Sequence, residues 1–210
     1  MRHPGDISSP AMRRVRGLIA LGAMVLVAAV VLPVGTGASA PAPPVTRDIV
    51  WPGDFTAQFV RLDRTGISSG TEYRDATGRR TRTDTQTAGG TVTVLRLYGP
   101  TSHTRYTIKG GTCEVATVAE PWTDIIASQA RKIGTTRIGG RTLTHWLGKG
   151  PGGVPALVGL DSAPPASAAD WPAYVAQGSG IRSVITTMPQ DQHIPGRPSP
   201  SLFAVPSICT

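Results

Sequence analysis

From position 54 onward the chain alternates apolar and polar residues in short bursts. Phe55, Ala57 and Phe59 share one side of the stretch Asp54 to Leu62, the period-two mark of a half-buried strand. The stretches Thr71 to Asp75, Arg79 to Gln86, Thr91 to Tyr98, Thr104 to Lys109 and Cys113 to Val118 read the same way. Glycine-bearing turns separate them at Gly66 to Gly70, Asp75 to Gly78, Gly89-Gly90 and Gly110-Gly111. Consecutive strands joined by short turns predict an antiparallel meander. The arginine-rich hairpin from Thr71 to Gln86 is expected to face water.

One stretch changes period. Trp122, Ile125, Ile126, Ala130 and Ile133 recur at helical spacing, which predicts an amphipathic helix. Pro121 suits its first position, Arg131 and Lys132 its last turn, and Gly134 its cap. Such a helix needs an apolar surface to lie on, and a sheet supplies one. Further strands are expected at Arg141 to Leu147, with Leu143 and Trp146 turned inward, at Val154 to Leu160 and at Ile181 to Met188. Ala163 to Gly180 reads as a short helical or irregular lid. The proline-rich tail from Pro189 is expected to lie extended on the surface, because proline cannot donate to a ladder. The expected class is therefore α+β, mainly β: a curved antiparallel sheet with one main covering helix. Phe55, Phe59, Val92, Val94, Tyr106, Ile108, Trp122, Ile126, Trp146, Leu157 and Ile185 are expected to face inward. They line a ligand cavity if the sheet curves away from the helix, and are plain core if it does not.

The first segment changes the picture of address. Arg13, Arg14 and Arg16 precede an uncharged apolar run from Leu18 to Leu32, with small residues following. This is the layout of an export signal. Cleavage is expected after Ala38, since a cut after Ala40 would place Pro41 next to it; an uncleaved membrane anchor is the alternative. The expected organisation is a signal at 1–38, a proline-rich spacer at 39–48 and a single β-rich domain at 49–210. The chain has 210 residues and a formal charge of +8; losing residues 1–38 removes four arginines and one aspartate and leaves +5. These cations are dispersed along strands without interleaved aromatics, so nucleic acid is not an expected partner. Weak attraction to an anionic membrane surface is compatible with them. Glycine (25) and proline (19) make about a fifth of the chain, above the roughly 12 per cent average but short of the low-complexity range. A loop-rich folded protein is expected.

Two cysteines, Cys113 and Cys209, both follow the signal. In an oxidising compartment they are expected to form one bridge. Neither has a second close ligand pair, so no metal or cofactor is expected. Gly66-Ile-Ser68-Ser-Gly70 matches the string of a serine nucleophile elbow, but that elbow needs a helix after it, and the following residues are polar with no helical period. His103, His145 and His193 lack metal-ligand spacing. Asp161, Asp170 and Asp191 are isolated loop acids from which no catalytic pair stands out. No catalytic residue is expected.

The run from Cys113 through Glu120-Pro121-Trp122, Ile133-Gly134 and Ile138-Gly139-Gly140 to Trp146 resembles ependymin-related proteins. So do Trp51-Pro52 with Phe55-Thr56-Ala57, the hairpin of Tyr73-Arg74-Asp75 with Arg79, Arg80 and Asp84, and the ending Val205-Pro206 with Cys209. That resemblance implies a fold similar to the LolA/LppX lipoprotein carriers, a strongly curved sheet with helices around an apolar pocket. It implies binding of a lipid or other hydrophobic small molecule outside the cytoplasm. Calcium is associated with the family, and no residue here inherits that role. Family members carry a cysteine about three residues before the tryptophan matched to Trp146; Leu143 stands there instead, so a second bridge is absent. The expected function is a secreted, non-enzymatic binder of a hydrophobic ligand held between sheet and helix. A secreted hydrolase using dispersed loop acids and histidines, and an envelope interaction protein with a filled core, are the alternatives.

Overall fold

The structure is a computed structural model that describes residues 45–138, 140–163, 171–178 and 184–210. The expected signal, its cleavage site and most of the spacer lie outside these residues. The first strands are β1 (Thr46–Val50), β2 (Phe55–Asp63), β3 (Gly66–Asp75), β4 (Arg80–Thr87), β5 (Gly90–Tyr98), β6 (His103–Lys109) and β7 (Thr112–Thr117). They are followed by β8 (Ile125–Ile138), β9 (Arg141–Lys149), β10 (Pro155–Asp161), β11 (Pro172–Gln177), β12 (Val184–Thr187) and β13 (His193–Pro195). All pair antiparallel in one curved, unclosed sheet of order β1-β8-β9-β10-β11-β12-β2-β3-β4-β5-β6-β7, with β13 on β2.

The expected helix is a strand. Residues 125–138 form β8, the longest strand described, paired with β1 and β9. Its helix-like spacing comes from bulges. The β8–β9 register shifts between Ser128 and Arg131 and again between Lys132 and Gly134, and Gln129 adopts φ 49°. Each extra residue resets the alternation, so Ile126, Ala127 and Ala130 are all buried while Ile133 is exposed. Its many β-branched residues (Ile125, Ile126, Ile133, Thr135, Thr136, Ile138) suit the pleat. No helix covers the sheet among the described residues; the helical segments are short 3-10 turns at Pro151–Gly153, Gln190–Gln192, Pro200–Phe203 and Ser207–Cys209.

Other expectations shift less. Gly66 to Gly70 is the start of β3 rather than a turn; the chain reverses at Arg64-Thr65, where the Thr65 N–H donates to Asp63 Oδ1 at 2.7 Å. The hairpin loops at Asp75–Gly78, Gly89-Gly90 and Gly110-Gly111 lie as expected, and Gly140 (φ 83°) turns β8 into β9. Part of the expected lid is strand β11, and the rest of it falls largely on residues outside those described.

Paired residues share a face, so the register sorts every strand position. Arg74, on the Phe55 side of the sheet, donates to the Thr123 carbonyl at 2.9 Å and to Asp124 at 2.6 Å. Asp124 immediately precedes β8, and five strands separate β8 from β3 along the ladder. The sheet therefore curls back on the Phe55 side, which is its inner face. The C-terminal segment lies on the outer face. There Arg82 donates to the Leu202 carbonyl at 3.0 Å, Arg80 stacks 4.6 Å from the Phe203 ring, and Cys209 is bonded to Cys113 across a separation of 96 residues. Asp75, fully buried on that face, accepts from Arg80 at 2.7 Å, Arg197 at 3.1 and 3.2 Å and the Gly78 N–H at 2.7 Å. Burial opposes its charge, but these donors outweigh burial and hold the carboxyl below its ordinary range.

Candidate ligand-binding trough

The inner face has two unlike halves. Across β1 and β8 to β11, Ile49, Ile126, Ala127, Ala130, Val158 and Leu160 form a buried cluster, with Trp146 packed against it. On β2, Phe55, Ala57 and Phe59 form a second cluster with Trp171 and Met188. Trp51 touches both clusters, its ring 5.6 Å from Phe55 and 6.3 Å from Trp171. Phe55 and Val158 expose nothing and Phe59 exposes 2 %, so these side chains are core and not walls of a space that water can enter.

Beyond β2 the same face changes character. Its β3 positions are Gly70, Glu72 and Arg74, opposite Thr85, Thr83 and Thr81 of β4. Those threonines face Val92, Val94 and Arg96 of β5, which face Lys109, Thr107 and Arg105 of β6. Trp122 closes one end, 4.1 Å beneath the Arg74 guanidinium and 5.3 Å from the Tyr98 ring. The two valines, Arg96, Arg105 and Tyr98 are half-buried, within reach of a ligand. Burial pushes the Glu72 carboxyl above its ordinary value despite Arg61, Arg74 and Arg96 nearby, and burial also raises the Tyr98 hydroxyl.

The residues expected to line one cavity are divided by the fold. Phe55, Phe59 and Ile126 are core of the apolar half, and Trp146 is half-buried beside it with the Arg47 guanidinium 4.6 Å above its ring. Val92, Val94 and Trp122 belong to the polar half. Tyr106 and Ile108 lie on the outer face, the side that carries the Cys113–Cys209 bridge and the C-terminal segment. Leu157 and Ile185 are also outer, in a lateral row with Leu147, Leu62 and Ile67. Arg96 and Arg105 are not among the residues expected at a site, although the spacing Val92, Val94, Arg96 already puts a cation on the valine side of β5.

Of the dispersed acids and histidines, Asp161, His145 and His193 have structural partners, and Asp170 lies outside the described residues. Asp161 accepts from the Ala163 N–H at 3.0 Å and from Arg141 at 2.8 Å, in that order the causes that hold its carboxyl below its ordinary value. His145 Nδ1 meets the Tyr174 hydroxyl at 2.6 Å on the outer face, and the Tyr174 ring crosses Gly159, where a Cβ would collide with it. Burial lowers His145 and pushes Tyr174 up to about 12. His193 stacks on Trp171 at 3.8 Å between centroids. Ser68 sits in the middle of β3, with no helix after it. No group of three or more His, Cys, Asp or Glu able to hold a metal occurs among the described residues, and no helix among them is long and apolar enough to cross a membrane. A polar pocket of about 440 Å³ opens on the outer face, lined by Gln58, Thr71, Tyr73, Asp84, Gln86 and Gln192 among others.

No protein-family model matches the chain, and no curated protein matches its sequence. Solved structures do match. An uncharacterised conserved protein from Thermus thermophilus aligns with a TM-score of 0.51 at 9 % identity, over 74 % of this chain and 86 % of that one. MucB aligns with a TM-score of 0.44 at 14 % identity, over 75 % of this chain and 59 % of its own. LprF from Mycobacterium bovis aligns with a TM-score of 0.37 at 15 % identity, over 66 % of this chain and 85 % of its own. The likeness to the Thermus protein is one of fold.

Proposed function

We propose that this chain is an extracytoplasmic, non-enzymatic binding protein that takes an amphipathic, lipid-like ligand on the inner face of β3 to β6. The observation that carries this reading is the break in the inner face. One half is sealed core, whereas the other keeps Val92, Val94, Tyr98 and Trp122 half-buried beside charges that the fold leaves incompletely paired. A surface meant only for packing would not hold charges there. The Cys113–Cys209 bridge fits an oxidising compartment, and so does the basic, apolar first segment. The resemblance of the Cys113 to Trp146 run to ependymin-related proteins supports a lipid-like ligand. The ligand is held without a covering helix, since the segment expected to supply one is β8.

The test is native mass spectrometry of the protein purified without detergent, followed by organic extraction. A bound amphiphile is expected. Val94→Trp, which fills the floor of the trough, is expected to abolish its retention while the melting temperature stays within a few degrees. Protein free of any adduct, and unable to bind added single-chain amphiphiles, would sink the reading.

A further inference from the structure

We propose that Arg74, Arg96 and Arg105 form a recognition row for the anionic head group of that ligand, a phosphate, sulfate or carboxylate. The proposal rests on the trough reading and adds to it the chemistry of one end of the ligand. The row follows from register. Arg74 is opposite Thr81, Thr81 is opposite Arg96, and Arg96 is opposite Arg105, so one lateral line crosses β3 to β6 on the inner face. Directly opposed side chains start about 4.5–5.5 Å apart at Cβ, and like charges in that position destabilise a sheet. A sheet selected for stability alone would not place Arg96 against Arg105.

The protein neutralises the row only in part. Arg96 has no hydrogen-bond or ion-pair partner among the described residues. Arg105 reaches the exposed Glu114 only at 3.6 Å, and its buried Nε has no partner there. Arg74 spends one nitrogen on Asp124 and Thr123, yet its Nε is also buried and unpartnered, on a side chain that is 5 % exposed. His103, on the same face as Arg105 two residues earlier in β6, adds a third buried nitrogen without a partner, Nδ1. Glu72 lies on this face near Arg74 and Arg96, where burial raises its carboxyl against the pull of those arginines, and it hydrogen-bonds to neither among the described residues. Guanidinium groups match the planar, two-oxygen edge of a carboxylate or phosphate with paired donors. An oxyanion seated over the row would relieve the Arg96–Arg105 repulsion and supply the missing acceptors. Val94, Tyr98 and Trp122 flank the row and offer contact to the apolar body.

The experiment measures binding of dodecyl phosphate, neutral monolauroylglycerol and inorganic phosphate, below micelle-forming concentrations, to the whole chain and to Arg96→Gln and Arg105→Gln. Wild type is expected to prefer dodecyl phosphate over monolauroylglycerol by tenfold or more. Each variant is expected to lose about tenfold for dodecyl phosphate and less than twofold for monolauroylglycerol. The ligand-free variants are expected to melt no lower than wild type, because each removes one of two opposed cations; this readout also shows that they fold. Equal losses for both amphiphiles, or none, would overturn the anion row and leave the trough standing. No binding of either amphiphile to wild type would overturn both. Inorganic phosphate bound as tightly as dodecyl phosphate would keep the anion site and overturn its assignment to a ligand head group.

Discussion

The inner face of β8 to β11 and the inner face of β3 to β6 belong to one sheet, yet they answer to different demands. The first presents alanine, valine, leucine and isoleucine, with Ala127, Ala130, Ala156 and Val158 fully shielded. Burial of apolar area stabilises it at roughly 25 cal/mol per Å². The second presents threonine, arginine and glutamate, with Val92, Val94, Arg96 and Arg105 left half-open. Little burial energy is available there, so its strands are fixed from the outer face instead. Leu95 and Phe203 are buried on that side, Asp75 joins Arg80 and Arg197, and the disulfide fastens the C-terminal segment over it. Curvature alone does not make a binding surface. The surface arises where the fold has moved its cohesion to the other side of the sheet.

The largest effect should come from removing that outer fastening. Cys113→Ser with Cys209→Ser opens a loop with a separation of 96 residues, worth about 4–5 kcal/mol in the chain-entropy picture. Thermal unfolding with and without reductant measures it. A loss below about 1 kcal/mol would mean that β3 to β7 stand without their clamp, and the contrast between the halves would weaken.

Paired truncations on the two halves sharpen the comparison further. Phe55→Ala in the apolar half should cost about 3–5 kcal/mol, since a fully buried ring leaves a cavity. Thr83→Ala on the polar half should cost less than about 1 kcal/mol, because it removes only a methyl and a hydroxyl group between Glu72 and the half-open Val94. Denaturant titrations of the two variants, compared with wild type, give both values. Equal costs would mean that the polar half is an ordinary core in disguise.

The hairpin meander is legible in the sequence, the division of its inner face is not, and the reasons are local. The hairpins of β3 to β7 follow from Asp75–Gly78, Gly89-Gly90 and Gly110-Gly111, whose turn chemistry is short-range. The Cys113–Cys209 pair follows from the count of cysteines alone. The β8 stretch reads as a helix because bulges between Ser128 and Arg131 and between Lys132 and Gly134 convert period two into a false 3.6. Faces are harder. Parity within a strand is visible, but parity between strands depends on turn length. The turn from Tyr98 to His103, closed by the Gly99 N–H on the Ser102 carbonyl at 2.9 Å, sets Arg96 against Arg105. A slip of one residue would turn Tyr106 and Ile108 inward, which is where alternation alone places them. The arginine row is therefore a product of register, and composition gives no hint of it.

The smallest effect is also the most discriminating, because its sign depends on which force governs the polar half. Glu72 sits among Arg61, Arg74 and Arg96, and burial nevertheless raises its pKa. Between the ordinary glutamate value of about 4.3 and the raised folded value, the fold binds more protons than the unfolded chain. Stability must then fall as pH rises through that window, and the loss stays in place above it. Glu72→Gln removes the titration. The variant should melt higher than wild type at pH 7, and the gap should close as pH drops, vanishing below about pH 4. Melting curves taken from pH 3 to 8 decide it. A variant that melts lower at pH 7 would show that the arginines hold Glu72 as a charged partner. The row would then be balanced from within, and its demand for an external anion would disappear.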